Sequence, residues 1–348
     1  MADLVSLWQE QVRAAPRSGT LLRIRGYGSK DFIGPSSAGQ TLDTREYRGI
    51  VHYDPRELVL TARCGTPLTE IEAVLAENEQ MLACEPPHFG AAASFGGMIA
   101  AGLSGPRRPW AGAVRDFVLG CRLIDGHGHH LRFGGEVMKN VAGYDLSRLM
   151  CGSYGCLGVL TEASMKVLPI PQRRLSVRIA IDADEALRRL SRWASEPWPI
   201  SGAAHDGTAL IVRLEGGHGS VDASEARFGG EVVEDSFWQR LRDLQLPFFE
   251  GSVPLWRLSL PTDKKPPKLP GEMLIDWAGA QCWLRSEAPA EQIRATVSSV
   301  GGHAAQWRST EGSPFHPLQP ALLALHQRLK AQLDPHGLFN RGRLYAGL

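Results

Sequence analysis

Glycine clusters in three short segments: Arg25–Gly34 (RGYGSKDFIG), Pro86–Gly105 (PPHFGAAASFGGMIAAGLSG) and Lys139–Leu160 (KNVAGYDLSRLMCGSYGCLGVL). A turn without Cβ atoms lets backbone N–H groups converge on an anion. In the first segment Gly26 and Gly28 flank Tyr27, Ser29 offers a hydroxyl, and Arg25 or Lys30 a compensating cation. Each charge-assisted hydrogen bond contributes ~1.5–3 kcal/mol. Several together can offset the cost of burying a diphosphate. Gly96 and Gly97 make a second turn, and Ala100, Ala101 and Gly102 leave room for a ligand against the backbone. Gly152, Gly155 and Gly158 recur at three-residue spacing, with Ser153 among them. Taken singly, the first segment also reads as an ordinary strand-to-loop turn and the second as close backbone packing. Three such segments in this order point to a domain folded around a long, phosphate-bearing cofactor. None is a Walker A loop or a GxGxxG turn opening a βαβ unit.

The elements that must position these segments are legible as hydrophobic periodicity. Leu4, Leu7, Trp8 and Val12 predict an amphipathic helix over residues 2–14. LLRIRG is a strand running into the first glycine turn; GIVHY and ELVLTARCG are further strands. GTPLTEIEAVLAENE is a helix with Thr66 as N-cap, Pro67 in its first turn and Asn78 at its end. DFVLGCRLIDGHGHHLRFGG is a hairpin, with His127, His129 and His130 solvent-facing in its turn. GVLTEASMKVLPIP is a strand stopped by Pro169 and Pro171, and that proline pair marks a boundary. Beyond it strands alternate with amphipathic helices: RRLSVRIAI, DADEALRRLSRWASE, TALIVRLEG, VPLWRLSL, EMLIDWAG, AQCWLRS, APAEQIRATVSSVG and HAAQWR. Such alternation indicates an α+β domain with an open sheet, its two halves a weak internal repeat. DKKPPKLPG reads as a surface loop, and Leu322, Leu325, Leu329 and Leu333 mark a late helix.

Composition narrows the function class. With 348 residues the chain can hold two domains, and 38 basic against 37 acidic residues give it no nucleic-acid or anionic-membrane signature. The six cysteines form no CxxC pair, so neither an iron–sulfur cluster nor a structural zinc is expected, and reduced buried thiols are. No metal site is assigned. MADLVSLWQEQVRAAP has no apolar signal core, and no run reaches the ~20 apolar residues that span a bilayer. The expectation is a soluble, cytoplasmic protein.

The three segments resemble the FAD-binding domain of the vanillyl-alcohol oxidase and para-cresol methylhydroxylase (PCMH) flavoprotein superfamily. Within it, RGYGSKDFIG, VMKNVAGYDLSRLMCGSYGCLG and the tail DPHGLFNRGRLY are similar to the FAD-binding, E-type subunits of bacterial glycolate oxidases. The resemblance covers nearly the whole chain. It implies an α+β fold: a two-subdomain PCMH-type domain over 1–170, then an α+β cap with an open antiparallel sheet over 171–333. A tail over 334–348 returns to the first domain. Carried over by position, it places Arg25, Gly26, Tyr27, Gly28, Ser29 and Lys30 at the FAD pyrophosphate. Pro86, Gly96, Gly97, Gly102 and Gly105 line the ADP and flavin path. Asp145, Gly152, Ser153, Gly155, Gly158 and Val159 contact the flavin or its adenine end, and Asn340 approaches the ring. Two positions depart from the family pattern: Tyr27 replaces a glycine, and GSYGCLG, with Tyr154 and Cys156, replaces GSEGTLG. A positive φ at position 27 would strain a tyrosine. The first loop has no histidine and Cys84 and Cys121 match no linkage site, so FAD is expected to be non-covalent.

Hydroxy-acid-oxidising relatives carry a GDGNxH-like stretch in the cap. Here His205-Asp206-Gly207 and Gly217-His218-Gly219 are incomplete echoes, and His303, His316 and His326 stand alone. No catalytic residue is therefore assigned. The resemblance implies a complex that oxidises glycolate to glyoxylate, in which a homologous catalytic FAD subunit and an iron–sulfur subunit complete this chain. The alternatives are a stand-alone FAD dehydrogenase for a 2-hydroxy acid such as D-lactate, and a structural subunit without flavin. The cap tryptophans Trp193, Trp198, Trp238, Trp256, Trp277 and Trp283 are read as core more than as interface anchors.

Overall fold

In the computed structural model, which describes residues 3–90, 92–135, 145–307 and 313–348, a helix over Leu4–Ser18 begins where Asp3 accepts the Val5 amide. Its buried row is Val5, Trp8, Val12 and Ala15. Leu7 of the predicted stripe is exposed, because the 5-8-12-15 row owns the inward face. The strand Leu22–Arg25 pairs in parallel with Gln40–Asp43 and delivers the chain to the first glycine loop.

A five-stranded antiparallel sheet follows, in the order Ile50–Asp54, Val59–Arg63, Val159–Lys166, Val118–Ile124 and His130–Gly134. The predicted hairpin supplies its last two strands. His127 and His129 are exposed in the turn, but His130 opens the second strand and its Nε2 lies 2.9 Å from Thr161 Oγ1. Thr66 does not cap the next helix. Its hydroxyl donates to the Arg63 carbonyl and accepts the Gly49 amide, and the helix runs Leu68–Ala76 with Glu77, not Asn78, at its end. Pro169 does not stop the sheet region either; Leu168–Pro169 pairs with Gln80–Met81.

Residues 173–307 build an eight-stranded antiparallel cap sheet in the order Glu231–Val233, Arg173–Ile179, Leu210–Gly216, Ile200–His205, Glu272–Asp276, Gln281–Arg285, Leu255–Ser259 and His303–Trp307. Its two four-strand halves meet at a single residue pair, His205 with Ile275. The strand Ile200–His205 and the helices His218–Phe228 and Ser236–Arg242 carry no clear sequence period. Five of the six cap tryptophans are buried and Trp198 is half-buried, which agrees with a core role. Ile33, Ala101 and Leu103 of the glycine segments pack against Trp238, Trp283 and Trp307, so one hydrophobic cluster joins the first domain to the cap.

After the helix Pro320–Leu333 the tail returns to the start of the chain. Leu338 and Phe339 are buried with Val5, Trp8 and Val12, and Leu22 donates its amide to the Leu338 carbonyl at 2.9 Å. Among the described residues no helix is long and apolar enough to cross a membrane, and no cluster of His, Cys, Asp and Glu is placed to hold a metal ion.

Candidate functional site

The first loop has the character of an anion cradle. The amides of Gly26, Tyr27, Gly28, Ser29 and Lys30 have no acceptor among the described residues. Such a run of unpaired donors is rare unless water or a ligand completes it. The loop turns at Gly28, whose φ of 75° is left-handed, while Tyr27 is not left-handed and carries no such strain. The Lys30 side chain is buried, its Nζ 3.1 Å from Ser29 Oγ and 5.5 Å from the Phe89 ring centre. Burial pushes the Lys30 pKa down to about 8, opposed by the Asp243 charge. A buried ammonium with no bonded carboxylate among the described residues, beside five amides unpaired there, fits the charge of a diphosphate. Arg25 instead pairs with Asp31 at 3.0 Å.

The segments distant in sequence do converge. A Cβ on Gly26 would lie 2.6 Å from Ser94 Oγ, and one on Gly102 2.8 Å from the Gly152 nitrogen. Asn340 bonds both remaining partners: its Oδ1 accepts the Ile24 amide at 2.8 Å and its Nδ2 donates to the Tyr154 carbonyl at 2.7 Å. Asn340 is thus the tie that fixes the tail between the strand entering the first segment and the third segment. Arg343 adds bonds to the carbonyls of Lys30 and Pro35. Trp277 of the cap donates its indole N–H to the Gly105 carbonyl at 3.0 Å.

The second and third segments use glycine differently from the first. The amides of Gly96, Gly97, Gly102, Gly105 and Gly152 donate to Cys64 O, Ser94 Oγ, Met98 O, Cys84 O and Ile99 O. They are not free donors, and close packing dictates glycine at Gly96 and Gly105, where a Cβ would meet Cys64 Cβ at 2.6 Å and Glu85 O at 2.4 Å. Gly97 borders open space apart from the Ser94 hydroxyl. Ser94 caps the buried helix Phe95–Ala101, so the small-residue stretch is a helix in close packing. Ser153 is buried and its hydroxyl bonds Met150 O. Tyr154 adopts φ of 50° and donates its amide to Ala100 O. Gly155 abuts Asn340, while Gly158 leads into the strand that Val159 opens. Asp145 caps the short helix Leu146–Leu149 and pairs with Arg148, so its carboxylate is engaged locally. Pro86 follows a left-handed Glu85. Residues 139–144 of the third segment, with 136–138 just before it, and Ala91 of the second lie outside the described residues.

Sequence reading missed a cationic cleft. A cavity of about 470 Å³ lies between the glycine segments and the cap, lined by Gly102, Arg108, Arg115, Cys151, Arg257 and His303 among others. Burial pushes the Arg257 pKa down to about 10. Its Nε donates to Gln281 Oε1, whose amide in turn donates to Asp276 at 3.0 Å, and no carboxylate among the described residues pairs directly with it. The signal was an arginine in the middle of the apolar run VPLWRLSL. Burial likewise lowers the His303 pKa, favouring a neutral imidazole. His205 is structural: its Nε2 meets the Ile181 carbonyl at 3.0 Å and its Nδ1 accepts the Gly207 amide. All six cysteines are free, and burial pushes the thiols of Cys84 and Cys121 up, the second to about 11.

Comparison with known proteins agrees with this geometry. A family model described as an FAD binding domain matches residues 7–134. The chain is 58% identical over 339 residues to glycolate oxidase subunit GlcE of Escherichia coli K12, covering 97% of each. It is 34% identical over 141 residues to glycolate oxidase subunit GlcD of Bacillus subtilis, covering 40% of this chain and 30% of that protein. Among solved structures, an alkyldihydroxyacetonephosphate synthase shares the fold with a TM-score of 0.66 at 17% identity, covering 95% of this chain and 74% of that one. The fold is that of a PCMH-type flavoprotein with an α+β cap, and the cofactor is FAD.

Proposed function

The chain belongs to the family of the Escherichia coli glycolate oxidase subunit GlcE, and from that membership we propose that it is the FAD-holding subunit of a glycolate-oxidising complex. The observation that carries the reading is likeness from end to end, 58% over 97% of both chains. FAD, when bound here, would store or pass on electrons that the catalytic subunit removes from glycolate as it becomes glyoxylate. The residues of this chain bind and orient it. The amides of Gly26–Lys30 and the Lys30 ammonium hold the diphosphate, while Ser94, Gly97 and Gly102 border its path. Asn340 and Arg343 lock the tail over that path, and the cap covers it and excludes water. With Cys84 and Cys121 buried and protonated, FAD is held without a covalent link. The chain divides at 1–170, 171–333 and 334–348.

The likeness to a protein named as a subunit supports partners: a homologous catalytic FAD subunit and an iron–sulfur subunit, in the cytoplasm and at the membrane only through them. The test is a tagged pull-down from the native cell with flavin quantified. Co-purification of a second flavoprotein and a cluster protein is expected; recovery of the chain alone would overturn it.

The Arg108–Arg115–Arg257 cleft favours a second reading, in which the chain itself oxidises a small 2-hydroxy acid. Isolated FAD-loaded protein mixed with glycolate or D-lactate separates the two. Bleaching of the flavin bands in the isolated chain supports the second reading, and unchanged bands support the first.

A further inference from the structure

The loop that leads into the second glycine segment is strained. Glu85, Phe89 and Gly90 have φ of 47°, 52° and 121°. Left-handed non-glycine residues persist only where their surroundings over-determine them. Here the cap grips the loop at both ends, and Arg107 of the first domain shares the first grip, donating its amide to Glu85 Oε2 at 2.9 Å. At one end, Arg213 of the strand Leu210–Gly216 grips the Glu85 carboxylate with two guanidinium nitrogens, at 2.8 and 3.0 Å. Arg213 is 2% exposed, and a two-pronged pair in so dry a place fixes orientation as well as charge. At the other end, Asp243 Oδ1 accepts the His88 amide at 2.8 Å and the Phe89 amide at 3.5 Å, while Arg242 holds Oδ2 at 2.7 Å. Phe89, held at the second grip, presents its ring to Lys30 of the first loop. The clamp therefore reaches both the first and the second glycine segments.

We propose that Arg213 and Asp243 are positioning residues for the cofactor: the cap clamps the loop Glu85–Gly90 in its left-handed form and so sets FAD affinity from outside the cofactor domain. The inference rests on the FAD reading above and adds a distant determinant to it. Arg213 acts through Glu85, and Asp243 acts through His88 and Phe89, with its charge also felt by Lys30.

The experiment is a flavin-fluorescence titration of the full chain with Asp243→Asn and Glu85→Gln. Arg178→Gln, which breaks a pair with Asp206 inside the cap, serves as control. Both clamp variants are expected to weaken FAD binding at least tenfold with native circular dichroism, and the control less than twofold. In hydrogen exchange of the FAD-free chain, the His88 and Phe89 amides of Asp243→Asn are expected to lose protection, which a general loss of stability would not confine to them. A folded Asp243→Asn protein that binds FAD within twofold of the parent overturns the proposal. If that variant does not fold, Glu85→Gln decides on the same criterion. A parent chain that takes up no FAD sinks the cofactor reading and the clamp with it, whereas parental uptake with indifferent variants sinks the clamp alone.

Discussion

Lys30 illustrates how one residue can report the cofactor. With its pKa lowered to about 8 from 10.5 by burial, it is charged at neutral pH and loses its proton as pH rises through 8. A diphosphate beside it favours the charged form, so binding takes up a proton in that window and FAD affinity should fall above pH 8. Lys30→Met should weaken binding by about 10- to 100-fold at pH 7, the value of one charge-assisted bond, and flatten that pH dependence. Fluorescence titration between pH 6.5 and 9.5 checks both. The neighbouring turn gives a paired test. Gly28 is left-handed and Tyr27 is not, so Gly28→Ala should cost about 1–2 kcal/mol of loop energy and lower FAD affinity accordingly. Tyr27→Gly should bring no gain in affinity, although a family-based correction would suggest one.

At the scale of elements, the tail hangs on Lys330. Its ammonium donates to Cys156 O, Asp334 Oδ2 and Phe339 O at 2.7–2.9 Å, and Asp334 also accepts the Leu338 and Phe339 amides. The Asp334 side chain is fully buried, so Lys330→Met strands a carboxylate and should destabilise the protein by ~3–5 kcal/mol, read by urea unfolding. The double variant Lys330→Met/Asp334→Leu should recover part of the loss. Elements with a clean period were legible from residues alone: the hairpin of Val118–Gly134 and the strand Leu255–Ser259 are where alternation put them. The strand Ile200–His205 was not, because ISGAAH is built of small residues whose burial comes from the neighbouring strands rather than from their own pattern. The same limit hid Arg257 and the clamp. Periodicity separates apolar from polar positions, but it cannot tell which polar residue tertiary packing will bury. The three glycine segments were found as a group, yet their division of labour, donors in the first and packing in the others, needed the hydrogen bonds.

For the whole molecule, the hydrophobic cluster of Ile33, Ala101, Leu103, Trp238, Trp283 and Trp307 makes the cofactor domain and the cap share a core. Ligand held by one should therefore stabilise both. FAD at about 100 times its dissociation constant adds ~2.7 kcal/mol, which at this size corresponds to a Tm rise of roughly 4 °C. A single calorimetric transition that moves as a unit is expected; a cap transition that ignores FAD would separate the two bodies. The cap sheet itself has a different grain. Its halves share a single ladder pair, His205–Ile275, besides the side-chain cluster that spans both, whereas neighbouring strands within each half share ladders such as the seven pairs of Arg173–Ile179 with Leu210–Gly216. Under mechanical load, a book opens at its spine before its pages tear. Pulled across that crease, the sheet should rupture there first, releasing two intact four-strand leaves.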